Sequence, residues 1–152
     1  MLLIGIAVFL FCTGLTLTVL GSQLSNFLSL PNLMFILVPL VAIMVSTKSL
    51  KVFTAGLSAV INPKRHLSEE MRGQAASLFR FLSKTAAMVS AIAVFISLLN
   101  MLMILDFIDP DARRNIGPNV AASLVPLGYG LFLIAAVFEP VVYNLKKRRD
   151  SK

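Results

Sequence analysis

Long apolar stretches alternate with short polar ones along this chain, and their lengths predict membrane-crossing helices. Residues 2–20 form a first apolar run, 33–47 a second, 85–105 a third and 118–142 a fourth. A helix needs about 20 apolar residues to cross a hydrocarbon core of about 30 Å. The first run lacks a positively charged start and a small-residue cleavage site, so it reads as a retained helix rather than a signal peptide. The second follows Leu30-Pro31-Asn32, contains Pro39 and is expected to continue through 47–61. There Lys48 and Lys51 mix with Val52, Phe53, Leu57, Val60 and Ile61, which suits a helix leaving the membrane for water. Asn62-Pro63 breaks it. Ser68 is placed to cap a new helix, with Glu69 and Glu70 in the first turn, where carboxylates suit the positive end of the dipole. Met71, Ala75, Leu78, Phe79 and Leu82 recur near helical spacing, and this helix is expected to run straight into the third apolar run. Asp106, Asp109-Pro110 and Asp111 end that run, and a short loop with Arg113 and Arg114 leads to the last helix, where Pro118 suits the first turn.

Two helices carry stripes of small residues. In the last, Ala121, Gly128 and Ala135 recur every seven residues, with Gly117 one turn earlier. Small residues on one face let helices approach closely in a membrane, so this helix reads as a packing partner. In the third, Ala86, Ser90, Ala93, Ser97 and Asn100 follow at spacings of four and three, along one face. That face is either a helix–helix seam or a pore wall of weakly polar groups, and one helix can serve both.

Composition narrows the class. Hydrophobic residues make up 57% of the 152 and charged residues 14%, whereas a soluble domain has about 45–50% and about 25%. The expected fold is an all-α integral membrane protein in a single domain spanning 1–152, with four transmembrane helices, the second and third extending into the cytoplasm. The net charge of +7 does not point to nucleic acid, because the basic residues flank apolar runs. Seven of the 14 Lys and Arg lie in 48–84 and five in the tail 143–152. The positive-inside rule therefore places that segment, the tail and both termini in the cytoplasm.

Chemistry is sparse. A single cysteine, Cys12, excludes an intramolecular disulfide, and the single histidine, His66, lacks Cys or Glu at ligand spacing, so no metal site is expected. Neither a Ser/His/Asp set nor a phosphate-binding glycine loop is present, so the sequence points to no enzyme and no cofactor. Acids inside a membrane usually mark ion paths, and here none falls at mid-depth. Glu139 lies near the inner end of the last run, where pairing with Lys146 or Lys147 of a neighbour is expected over a proton relay. Glu69, Glu70 and Arg72 form the charge cluster available for a cytoplasmic contact.

Three features resemble the MotA/TolQ/ExbB family of proton-channel subunits, and its flagellar-stator MotA branch in particular. Leu30-Pro31-Asn32 opens the second span; Asp109-Pro110 is followed by Ile116-Gly117-Pro118 and by Tyr129-Gly130; and Glu139-Pro140 and Leu145-Lys146-Lys147 close the last span. Four spans with a basic segment between the second and third also fit the MotA branch. The resemblance implies a pentamer of this chain around two single-span helices of a MotB/TolR/ExbD-like partner, in the inner membrane of a bacterium. The third and fourth spans would line the pore, with Ser90, Ala93, Ser97, Asn100, Pro118 and Ala122 along the ion path. The partner would bring the aspartate that carries H+, or Na+. The chain departs from the family in several places. No Gly-Thr-x-x-Gly stands in 86–105, where Ser97 or Ser90 would supply the hydroxyl. Thr-Thr-x-Tyr-Gly is replaced by Pro126-Leu127-Gly128-Tyr129-Gly130, and the glutamate of TolQ and ExbB falls at Ala122. The cytoplasmic segment is much shorter than in flagellar stators. A non-conducting scaffold of the same family, and an unrelated four-helix membrane protein, remain as other readings.

Overall fold

The computed structural model describes residues 7, 11, 14, 15, 29–62, 67–104 and 116–150. Of the first apolar run only Ala7, Phe11, Gly14 and Leu15 are included, all helical. Cys12, His66, Asp106, Asp109, Asp111, Arg113 and Arg114 lie outside the described residues, as does most of the expected first span. Among the described residues every regular element is a helix and there is no strand: α1 is Leu30–Ser46, α2 Leu50–Ile61, α3 Glu69–Ile104, α4 Ile116–Phe132 and α5 Glu139–Asp150. A π-helical turn, Leu133–Phe138, joins α4 to α5.

Helix α1 starts with Pro31 in its first turn, where the missing N–H costs nothing. It does not continue through 47–61. The chain breaks at 47–49, and α2 departs at 113° from α1. The cause is local. Thr47 Oγ1 donates to the Ile43 carbonyl at 2.8 Å, and the Ser49 N–H donates to the Met44 carbonyl at 3.0 Å. Hydroxyl side chains that bond the backbone offer it a route out of the helix. Between them Lys48 takes a φ of 51°, in the left-handed region. The second helix therefore does not extend straight out of the apolar layer; it turns aside and packs α2 against α3.

Helix α3 begins as its sequence indicates. The Met71 N–H donates to Ser68 Oγ at 3.3 Å, and Glu69 and Glu70 occupy the first turn. Its 36 residues run without a break for about 54 Å at about 1.5 Å per residue, well beyond a bilayer core. The last helix is also long, continuous from Ile116 to Lys147, but its phase changes at the π turn. The Glu139 N–H bonds the carbonyl five residues back, on Ile134, and the next residue, Pro140, has no N–H to offer. A single wide turn of this kind inserts an extra residue and re-aims whatever follows.

The apolar core lies towards one end of the α3/α4–α5 hairpin. Ile36, Leu40 and Met44 of α1 meet Ala75, Phe79, Leu82 and Ala86 of α3 and Phe138, Val141, Val142 and Leu145 of the last helix. Phe79 is fully buried; its ring stacks on Phe53 of α2 at 5.1 Å and tilts against Phe138 at 6.1 Å. Gly56 makes that crossing possible, since a Cβ there would lie 2.8 Å from the Phe79 ring and 3.0 Å from Ala75 Cβ.

Elsewhere the long helices turn apolar side chains outward. Phe95 is 62% exposed and Met103 84%. Only 17% of the most apolar stretch of α3, and 22% of that of the last helix, is buried inside the chain. Apolar surface on that scale needs lipid or another chain against it. Among the described residues, two helices are long and apolar enough to cross a membrane, or three if the bent α1–α2 pair counts as one span.

Candidate functional site

Of the polar groups that the sequence singles out, Ser90 lies in the seam between α3 and α4. A Cβ on Gly130 would land on Ser90 Oγ, 2.8 Å from Ser90 Cβ and 3.3 Å from the Ala86 carbonyl oxygen. The two helices therefore touch there backbone to side chain, and Ser90 and Gly130 set the register of an antiparallel pair. Counting outward from this contact along opposite directions places Ser97 level with Ser123, and Asn100 level with Val120.

Each side chain's burial follows from that register. Ala86, Ser90 and Ala93 are buried in the seam, Ser97 is half-buried and Asn100 exposed. Pro118 and Ala122, the other residues assigned to an ion path, are exposed. The stripe therefore divides: its first three members form an intramolecular seam, and Ser97 and Asn100 reach the outer surface. On the last helix, Gly117, Ala121, Gly128 and Ala135 are all exposed. They do not make the close packing inside the chain; Ser123, Pro126, Gly130 and Ala136 do. Of the charged cluster, Glu69 and Glu70 face outward, while Arg72 is only 8% exposed and its guanidinium donates to the Leu67 carbonyl at 3.4 Å.

The buried hydroxyls are satisfied locally. Ser90 Oγ donates to the Ala86 carbonyl at 2.7 Å and Ser123 Oγ to the Asn119 carbonyl at 2.9 Å. Among the described residues no buried side-chain nitrogen or oxygen lacks a partner. A serine that gives its proton to its own helix still offers oxygen lone pairs, so these groups can accept but not readily donate. No carboxylate lies among the described residues between Lys84 and Glu139 along the hairpin. This wall offers hydroxyl and amide oxygens, which can solvate a cation weakly, and no carboxylate among its described residues.

Two features escaped the sequence reading. Ser123 sits in the seam level with Ser97, yet it fell outside both spacing patterns. Tyr129 Oη accepts the Ser29 N–H at 2.8 Å, tying the start of α1 to the middle of the last helix. A tyrosine inside an apolar run signals such a bond, because its hydroxyl needs a partner once buried.

No protein-family model matches the chain. Among curated proteins it is similar to Chemotaxis protein PomA of Vibrio alginolyticus, with 34% identity over 86 residues that cover 57% of this chain. The match takes in 32% of PomA, so this chain spans about a third of the length of that relative.

Proposed function

We propose that this chain is the A-type subunit of an ion-driven, stator-type membrane complex. The observation that carries the reading is the similarity to PomA. It agrees with the resemblance of Leu30-Pro31-Asn32, Tyr129-Gly130 and Glu139-Pro140 to the MotA branch, and with a long hairpin whose apolar faces lie outside the chain. In this account five copies surround two helices of a MotB-type single-span partner in the bacterial inner membrane, with both termini cytoplasmic. The chain is a transport subunit and not an enzyme.

The division of labour follows from the side chains. The ion-carrying carboxylate comes from the partner, because the described residues of the hairpin supply none at mid-depth. Ser97, Asn100, Pro118 and Ala122 offer the surface past which the ion moves, with hydroxyl and amide oxygens as weak, exchangeable ligands. Ser90 and Ala93 hold α3 against α4 so that this surface keeps its shape. Glu69 and Glu70 are the exposed charges available to a cytoplasmic contact. The coupling ion is H+, with Na+ the other possibility to test.

Ser97→Leu tests the assignment. It should reduce ion flux in proteoliposomes or cells at least ten-fold while leaving assembly intact; unchanged flux removes Ser97 from the mechanism. A second reading, a non-conducting scaffold of an envelope complex, is favoured by the turning of the Ser90 and Ser123 protons into their own helices. An aspartate in the span of the co-purifying partner supports conduction, and an apolar partner span supports the scaffold.

A further inference from the structure

Where the charge-free part of the hairpin ends, α3 and the start of α5 form an open cavity of about 490 Å³. Its walls are Ser77, Arg80, Phe81, Ser83, Lys84 and Glu139. Lys84 is the last charged residue before the apolar stretch of α3, and Glu139 the first after that of the last helix. The cavity therefore lies at the level where hydrocarbon gives way to head groups. Arg80 and Lys84 are four residues apart and share one face of α3, about 5–6 Å apart at Cβ. Phe81, beside them, is 49% exposed, an aromatic ring at the boundary of an apolar band. Ser83 is buried and donates to the Phe79 carbonyl at 3.1 Å, leaving its oxygen able only to accept. Glu139 follows the π turn directly and lines the same wall.

The geometry points to a binding site for the head group of a phospholipid. The phosphodiester lies on Arg80 and Lys84, and a primary ammonium lies on Glu139. A guanidinium fork and an ammonium give a phosphate oxygen set charge-assisted bonds, and basic pockets between membrane helices hold head groups in this way. The carboxylate sets the selectivity: it favours a head group carrying a primary amine, as in phosphatidylethanolamine, over an uncharged or anionic one. This inference rests on the hairpin spanning a membrane and does not depend on the stator reading.

The test is native mass spectrometry of the full chain purified in mild detergent with phosphatidylethanolamine or phosphatidylglycerol. The wild type should retain one phosphatidylethanolamine per chain in preference to phosphatidylglycerol. The Arg80→Gln/Lys84→Gln variant should lose retention at least five-fold, and the charge-keeping Arg80→Lys/Lys84→Arg variant should keep most of it. Glu139→Gln should abolish the preference between the two lipids. Equal retention by wild type and the double glutamine variant would overturn the site. Displacement of the lipid by inorganic phosphate at matched concentration would make free phosphate the ligand and overturn the lipid assignment. An unchanged preference in Glu139→Gln would overturn the role of the carboxylate. Carbonate-resistant membrane association of the same proteins reports separately on whether the hairpin spans.

Discussion

At Gly130 one hydrogen atom decides how closely two helices meet. The missing side chain makes room for Ser90, whose own hydroxyl is folded back onto Ala86. Gly130→Ala forces a Cβ into that contact, and overpacking of this kind costs about 1–3 kcal/mol. Gly128, two residues away, has open space where a Cβ would stand, with nothing within 4 Å, so Gly128→Ala should change monomer stability by less than about 0.5 kcal/mol. Thermal unfolding in detergent compares the two. Ser90→Ala should recover part of the loss in Gly130→Ala by removing the hydroxyl that the new methyl meets. Half of this seam was legible in the sequence. The spacing of Ala86, Ser90 and Ala93 marks a face of small residues, which any helix pair can use. Its partner was not legible, because Gly128 and Gly130 are equally small and nothing in a single sequence says which of them looks inward.

Among the elements, the turn from α1 into α2 shows where pattern reading stops. Apolar residues continue through 47–61, and neither glycine nor proline interrupts 47–49. The break is made by hydroxyls bonding backbone carbonyls and by Lys48 in a left-handed conformation, neither of which a hydropathy pattern records. The π turn was equally hidden, with Pro140 its one mark in the sequence. By contrast the start of α3 was fully legible, since Ser68 and the two glutamates obey simple capping electrostatics. What holds α2 in place is its crossing at Gly56. Phe79 cannot yield there, because Phe53 and Phe138 fix its ring from two sides. Gly56→Ala should therefore destabilise the fold by about 1–3 kcal/mol, read as a lower midpoint of thermal unfolding, whereas an α2 that packed loosely would absorb the methyl without a shift.

For the whole molecule, the decisive feature is surface that one chain leaves uncovered. Apolar side chains such as Met88, Phe95 and Leu131 face outward along the hairpin, and the small-residue stripe Gly117, Ala121, Gly128 and Ala135 faces outward with them. Lipid can cover the large side chains. A row of small ones is better suited to another helix, which agrees with assembly of several copies around a partner span. The ion path proposed above needs that assembly, because one copy carries no carboxylate and no basic side chain along the apolar part of its described hairpin. The most direct test is the native mass of the complex released gently from its own membrane. The account predicts five copies of this chain with two of a single-span protein bearing an aspartate in its span. A monomer or dimer with no such partner would contradict it.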